Sequence, residues 1–410
     1  MFKGKLHYKW VMLAIVTLTY FLAQGTRQIY NAVLPQIKTD FASAGLSDLQ
    51  LGLVGSAFTL VFGVVLLFSG VAADFFRRKW MIVVGTLVFS LGILGVGFVD
   101  GVTTLVLTYG VANAFGQALL PPSNSSLISQ HHVETRGTAF AVYQAGIYLG
   151  SILCCVAAGY LAGLGAGGWR HAFMIFGAIG VLWALVAAVG LRDTPNVGAA
   201  DDKPSVREAL AAFASKPSAL LLTLALGCYF YLLYGFKQWV PAFISRSFPD
   251  LSTAAVAFHA VFWFYLGAVA GAFIGGRVSD RLKPRRAAVR FEVEIAAILL
   301  AVPFLLLTAW AGSLPLMIAA ILAFGFATGV YDSNLYAAVL EVVNPRYRAV
   351  ATGLFGCGGC VFGAFGPGVM GWMNDHFTMQ ASFASLAGFA VAGALLITIA
   401  KLFFFERDKV

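Results

Sequence analysis

Long apolar blocks, broken by short polar stretches, run along the chain at 9–37, 47–73, 80–98, 103–130, 137–163, 170–192, 218–247, 252–279, 288–310, 315–343, 348–375 and 380–405. Each is long enough to cross the ~30 Å hydrocarbon core of a bilayer as a helix. The apolar residues run continuously and do not alternate with polar ones, as the strands of a membrane β-barrel would. The pattern predicts an all-α membrane protein with twelve transmembrane helices, numbered here as spans 1–12 in chain order. The longest polar break, 193–217, divides them into a six-helix bundle over 1–192 and a second over 218–410. Within that linker, Pro204-Ser205-Val206-Arg207-Glu208 has the serine and following glutamate of a capping box and predicts a short surface helix.

Composition sharpens this by exclusion. Of 410 residues, 60% are hydrophobic and 11% charged, against about 25% charged in ordinary soluble proteins. The mean hydropathy is +0.85. A soluble enzyme, a nucleic-acid binder and a disordered chain are all excluded. The net charge of +9 takes its meaning from where the bases lie. With the N-terminus inside, only Lys38, Arg170 and Arg246 of the 27 Lys and Arg fall on outer segments, while Arg27 and Lys237 fall within spans. The rest, including Lys3, Lys5, Lys9, Arg77, Arg78, Lys79, Arg281, Lys283, Arg285 and Arg286, fall on inner segments. This asymmetry predicts a multi-pass plasma-membrane protein, in bacteria an inner-membrane one, with both termini cytoplasmic. The basic start at Met1–Trp10 leads into an apolar run too long for a signal peptide, so the first span is expected to be retained. The five cysteines all lie in apolar segments, and Cys357-Gly358-Gly359-Cys360 reads as close helix packing in preference to redox or metal chemistry.

The two halves repeat. Gly70-Val-Ala-Ala-Asp74-Phe-Phe-Arg77-Arg78-Lys79 follows span 2, and Gly276-Arg-Val-Ser-Asp280-Arg281-Leu-Lys283 follows span 8. Pro35 in span 1 and Pro241 in span 7 stand at the same offset as Asp74 and Asp280. A duplicated, pseudo-symmetric pair of bundles is expected. With twelve spans, a central linker and two copies of Gly-x-x-x-Asp-x-x-basic, essentially the whole chain resembles the major facilitator superfamily. The first copy departs from that pattern, with Phe75 and Arg77 where the family has a basic residue and a glycine. The resemblance implies a major facilitator fold without cofactor or metal, in which two bundles rock about a cavity lined by spans 1, 4, 7 and 10. In the duplicated motif, Asp74 with Arg78 and Asp280 with Arg281 are candidate gating latches at the inner face, against a reading as topological charge alone.

A charge inside the bilayer costs on the order of 3 kcal/mol or more, so each one is a functional candidate. On span 1, Tyr20, Gln24, Arg27 and Asn31 recur at helical spacing and share a face. Lys237 lies on span 7 four residues before Pro241, where the repeat sets it opposite Asn31. Together Arg27 and Lys237 suggest an anion clamp; the competing reading is structural pairing with Asp332. Asp332, beside Tyr331 and Asn334 in span 10, is the one acid near the centre of a span and can carry a proton, bind a hydroxyl or neutralise a base. His259 is a second proton-carrier candidate. Gln117 and Asn124 of span 4, Tyr143, Gln144 and Tyr148 of span 5, and Tyr234 and Gln238 of span 7 suit the hydroxyls of a sugar, or bonds between helices. Glu292, Glu294 and Glu341 read as structural, with Arg290 placed to pair with Glu294 and Arg346 near Glu341.

Gly25-Thr26-Arg27-Gln-Ile-Tyr-Asn31-Ala-Val-Leu-Pro35, with Gly168-Trp169-Arg170-x-x-Phe173 and Leu191-Arg-Asp-Thr-Pro195, is similar to the anion:cation symporter and organophosphate:phosphate antiporter branches. Both place an arginine where Arg27 stands. Thr26, Gln117 and Ile147 replace those branches' usual acids and histidine, so coupling would rest on Asp332 or His259. The two bases less Asp332 leave one positive charge, which favours a monoanion. The expected function is proton-coupled symport of a small organic anion such as a hexuronate- or sialate-like sugar acid, by a monomer in the lipid bilayer. Sodium is the other candidate ion. The alternatives are a neutral or N-acetyl amino sugar carrier, a sugar-phosphate/phosphate antiporter, or a membrane receptor or enzyme, with His131-His132-x-Glu134 the one metal-like cluster.

Overall fold

The computed structural model describes residues 2–165, 167–192 and 206–410; side chains are described from residue 8 onward except 44, 71, 73–75, 206 and 349. Span 1 is Phe2–Ala32, continued after Val33 by Leu34–Asp40; span 2 is Asp48–Phe75 and span 3 Arg78–Val96. Span 4 runs over 102–131 in several pieces, the last being Leu120–His131; span 5 is Arg136–Ala162 and span 6 Gly168–Gly190. A short helix, Val206–Ala214, occupies the linker, and its predicted Ser205 cap lies outside the described residues. Span 7 is Pro217–Ser247, span 8 Thr253–Leu282 and span 9 Val289–Trp310. Span 10 is Leu314–Asp332 with Leu335–Val339, span 11 Arg348–Gly363 with Phe365–His376, and span 12 Met379–Ile399 extending through Asp408.

Local chemistry sets these boundaries. Span 2 opens with a reciprocal cap, Gln50 N donating to Ser47 Oγ (3.1 Å) and Ser47 N to Gln50 Oε1 (3.0 Å). Thr378 caps span 12 through Ala381 N at 3.2 Å. Pro35 and Pro121-Pro122 lack the N–H that a continuous ladder needs, and they stand at the start of restarted helices. Among the described residues, ten helices are long and apolar enough to cross a membrane. Spans 1 and 4 fall short because polar residues dilute the first and the second is broken. Large apolar side chains such as Phe68, Leu182, Val189 and Leu402 point outward, as suits a protein solvated by lipid.

By Cα packing the chain forms two compact units, 1–198 with 241–261, and 199–240 with 262–410. In the first unit span 1 packs on span 5, span 2 on span 4, and span 3 on span 6. The second unit packs span 9 on spans 10 and 12. Glycines bring the backbones together: a Cβ at Gly150 would overlap the Phe21 carbonyl, and Cβ atoms at Gly271 and Gly329 would overlap the Phe326 and Ala268 carbonyls. Spans 8 and 10 thus meet glycine to backbone in both directions. Gly359 and Gly363 pack on Leu226 and Phe230, and the cysteines, Cys357 and Cys360 included, are free thiols.

Candidate functional site

In the first unit the site centres on Arg27. Its guanidinium lies over the rings of Phe58 (4.6 Å) and Phe62 (5.6 Å). Tyr109 donates to the Arg27 carbonyl (2.9 Å) and stacks on Tyr30 (4.5 Å between centroids). Toward the basic-loop end of the same helix, Tyr20 hydrogen-bonds Gln24 and stacks on Tyr143 at 5.3 Å. Asn31 donates to Gln28 Oε1 (3.0 Å).

Two predicted ligand amides serve helix packing here. Gln117 is fully buried; its Nε2 donates to the Ala23 carbonyl (2.8 Å) and to Asn113 Oδ1 (2.9 Å), which ties span 4 to span 1. Asn124, also fully buried, donates to the Tyr143 hydroxyl (3.1 Å). Gln117 Oε1, Asn124 Oδ1 and Asn113 Nδ2 are buried without partners, an open hydrogen-bonding capacity along this seam. Gln144 is exposed and Tyr148 half-buried. His259, in the first unit, is half-buried with its ring against Phe258.

In the second unit the site centres on Asp332. Tyr229 donates to its Oδ1 at 2.7 Å and stacks on Tyr331 at 4.2 Å between centroids. Asp332 ends the first helix of span 10, before the break at Ser333-Asn334. A carboxylate there meets the negative end of the helix dipole, which disfavours its charge, while the Tyr229 hydrogen bond favours it. Its side chain is exposed, although Tyr331 and Asn334 on either side are buried. Lys237 acts electrostatically on Asp332 but forms no ion pair with it among the described residues; its ammonium lies over Phe264 (4.7 Å) and Tyr265 (5.0 Å). Tyr234 is half-buried against Phe230, and Gln238 is buried. Tyr229, which contacts Asp332, and Phe58 and Phe62, which lie under Arg27, are neighbours that the sequence does not single out. Tyr229 stands in a Tyr-Phe-Tyr run in which periodicity ranks no member first, and the two phenylalanines look like any core residues.

The predicted inner latches are placed as follows. The Asp74 side chain lies outside the described residues. Arg78 is buried, with Nε and Nη1 unpartnered. Asp280 and Arg281 are exposed, and no ion pair joins them among the described residues. The expected partners of two other acids also differ. Arg290 reaches Glu341 at 3.4 Å instead of Glu294, because span 10 packs against that turn of span 9 and Arg290 also donates to the Ala337 carbonyl (3.3 Å). Glu341 pairs with Lys283 as well, and no ion pair joins it to Arg346 among the described residues. At the opposite end of the first unit, Asp48 is 1% exposed and pairs with Lys38 and with Arg246 (2.9 Å). His132 bonds Thr135 and the Lys9 carbonyl, and no metal-ligating group forms among the described residues.

Ten helices long and apolar enough to cross a membrane among the described residues, packed in two units, mark an integral membrane protein. The chain belongs to the Major Facilitator Superfamily, whose family pattern matches residues 16–293 and 250–410. It is 26% identical to a probable sulfoacetate transporter of Cupriavidus necator, over 91% of this chain and 89% of that one. It is 28% identical to an efflux pump of Mycolicibacterium smegmatis, over 96% and 90% of the two chains. A solved bacterial homologue of the human lysosomal transporter Spinster, inward-facing and occupied, superposes with a TM-score of 0.84 at 21% identity over 98% of each chain, which shows the shared fold. The family is one of transporters of small molecules, not of enzymes.

Proposed function

We propose that this protein is a monomeric secondary transporter that carries a small organic anion, such as a sugar acid, together with protons. Its basic loops and both termini face the cytoplasm across the plasma membrane. The observation that carries this reading is Arg27 on its two rings. A charge inside the bilayer costs on the order of 3 kcal/mol or more, so its presence there asks for a purpose. The planar guanidinium fork suits a carboxylate or sulfonate. The sulfoacetate transporter among the relatives supports the same chemistry. Lys237 is a second anion-attracting group, and Tyr20, Gln24, Asn31, Tyr143, Gln144, Tyr148, Tyr234, Gln238, Tyr331 and Asn334 supply hydroxyl and amide contacts. Asp332, hydrogen-bonded by Tyr229, is the proton-coupling carboxyl, and His259 is its understudy.

The test is counterflow in proteoliposomes loaded with unlabelled glucuronate or sulfoacetate, with the labelled compound outside. Exchange that disappears in Arg27→Ala supports the reading. Failure of every organic anion, with export of an uncharged or cationic dye, would replace it by the efflux reading that the mycobacterial relative suggests.

A further inference from the structure

One residue of span 4 holds Arg27 from two sides. Tyr109 is 2% exposed, and its hydroxyl donates to the Arg27 carbonyl at 2.9 Å. Its ring lies against Phe58 (5.4 Å between centroids), the same ring over which the Arg27 guanidinium lies at 4.6 Å. Phe58 in turn stacks on Phe62 (6.1 Å), the second ring under the guanidinium. Tyr109 thus reaches Arg27 at both ends, directly at its backbone and through Phe58 at its charge. A buried tyrosine by itself needs only some acceptor for its hydroxyl. Tyr30 shows that simpler case: it stacks on Tyr109 but donates to the Leu51 carbonyl of span 2 (2.8 Å).

The backbone that carries Tyr109 is itself fixed. Val106–Asn113 is wound as a π-helix, a rare form that takes about one residue more per hydrogen-bonded turn and occurs frequently at functional sites. Spans 2 and 3 grip this segment closely. A Cβ at Gly110 would stand 3.0 Å from the Ala57 Cβ and 3.3 Å from the Val54 carbonyl oxygen of span 2. A Cβ at Gly92 of span 3 would stand 2.8 Å from the Thr108 carbonyl oxygen and 2.8 Å from the Asn113 nitrogen. Contacts this close leave the segment little room to slide or turn. The Tyr109 hydroxyl and ring therefore arrive at Arg27 from a rigid base. Gln117, on the α-helical piece that follows, adds a second tie between spans 4 and 1 by donating to the Ala23 carbonyl one turn before Arg27.

We propose that Tyr109 is the positioning residue for Arg27: by holding its backbone and the ring beneath its guanidinium, it fixes the direction in which the fork meets a carboxylate or sulfonate. A guanidinium carries its N–H donors in its plane and offers its face to an aromatic ring. The ring that supports the face therefore sets the plane in which two anion oxygens are met. Loss of Tyr109 leaves the charge in place and lets that plane wander, so attraction of an anion survives while the two-point fit is lost. This role deepens the anion-carrying reading of Arg27 and rests on it.

The experiment has a spectroscopic arm that needs no substrate. In the full chain with an NMR-active nitrogen isotope in its arginines, the Arg27 Nε–H signal is the one that disappears in Arg27→Lys, and the rings beside it set its chemical shift. Tyr109→Phe removes one oxygen and keeps the ring contacts; it is expected to move this signal toward those of the other arginines. Tyr109→Leu, which removes the ring as well, should move it further. In proteoliposomes with labelled sulfoacetate or glucuronate, Tyr109→Phe is expected to raise KM about tenfold, the scale of one lost hydrogen bond, and to leave the maximal rate within about twofold. Thr108→Val removes a hydroxyl bond from the same π-helical segment and is expected to leave the signal and KM unchanged. An Arg27 signal unmoved in both Tyr109 variants overturns the proposal. So does a loss of maximal rate with KM unchanged, or an equal effect of Thr108→Val. Should no organic anion be transported, the anion reading fails, while the Arg27 signal still decides whether Tyr109 positions it. Should neither Tyr109 variant fold, Gly110→Ala, which displaces the segment by a few tenths of an ångström, takes their place, and an unmoved signal there overturns the proposal.

Discussion

Arg27 and Lys237 occupy related stations in the two units: each lies deep in a span, ahead of one of the two matching prolines, and each sits over a pair of aromatic rings. Beyond that the units differ. The acids of the first unit, Asp40, Asp48, Asp74, Asp100, Glu134, Asp193 and Asp250, all fall at span ends or in breaks. The second unit places Asp332 and Glu294 inside its spans, with Tyr229 and Tyr331 beside them. Duplication supplied one scaffold twice, and divergence has given the first copy a cation without an interior acid and the second a cation with interior acids. A cation without an interior acid suits an anion, and a carboxyl within a span beside a cation suits a proton. On the proposed function this contrast makes the two cations unequal, and substitutions can break or sharpen it.

The largest effect is expected at Arg27. Arg27→Ala should lower uptake of an organic anion at least about 100-fold, as removal of one partner of a desolvated charge pair does, with insertion and thermal stability retained. Arg27→Lys should recover little, since a point charge does not replace the fork. Unchanged substrate binding by the alanine variant, read by thermal shift, would remove the anion site from the first unit. Next comes Asp332→Asn, expected to abolish accumulation against a gradient while substrate exchange continues. Tyr229→Phe should show a weaker form of the same split. Equal loss of both activities in Asp332→Asn would assign the carboxyl to substrate binding instead.

Lys237→Ala should weaken apparent affinity by about tenfold, or ~1.4 kcal/mol, less than Arg27→Ala. An effect as large as that at Arg27 would collapse the distinction between the two units. The smallest expected change in affinity belongs to Asp74→Asn and Asp280→Asn. Asp74 lies at the end of span 2 and Asp280 near the end of span 8, not in a span interior as Arg27 and Lys237 do, so they should change turnover more than binding. A shift of about 1.4 kcal/mol between conformations alters their ratio tenfold. Paired binding and initial-rate data decide, and a large affinity loss in a conformationally locked background would sink the latch reading.

The fold was legible because hydrophobic length is a local property. The blocks 47–73 and 288–310 became Asp48–Phe75 and Val289–Trp310, since every backbone group must be satisfied within its own helix in lipid. The site was legible in part. Arg27, Lys237 and Asp332 stand out because a charge in an apolar run is conspicuous. Gln117 and Asn124 were equally conspicuous, yet both donate between helices, and residue type alone does not separate a ligand-binding amide from a packing one. Helical spacing alone pairs Glu294 with Arg290, but span 10 offers Arg290 a nearer carboxylate and a carbonyl.

By itself, then, the amino-acid order determined that the chain lives in a membrane, that it is all helix, that it is built twice over, and which charges are costly enough to need a purpose. These follow from free energies that each residue carries with it: transfer into hydrocarbon, helical hydrogen bonding and the cost of burying charge. Only the tertiary structure decided which rings lie under Arg27, which hydroxyl holds Asp332, and which acid is left without a cation. Those outcomes depend on which faces meet. The glycine contacts that bring spans 1 and 5, and 8 and 10, together set the meeting to within a fraction of an ångström, and short-range contacts of that kind carry no signature in the linear pattern.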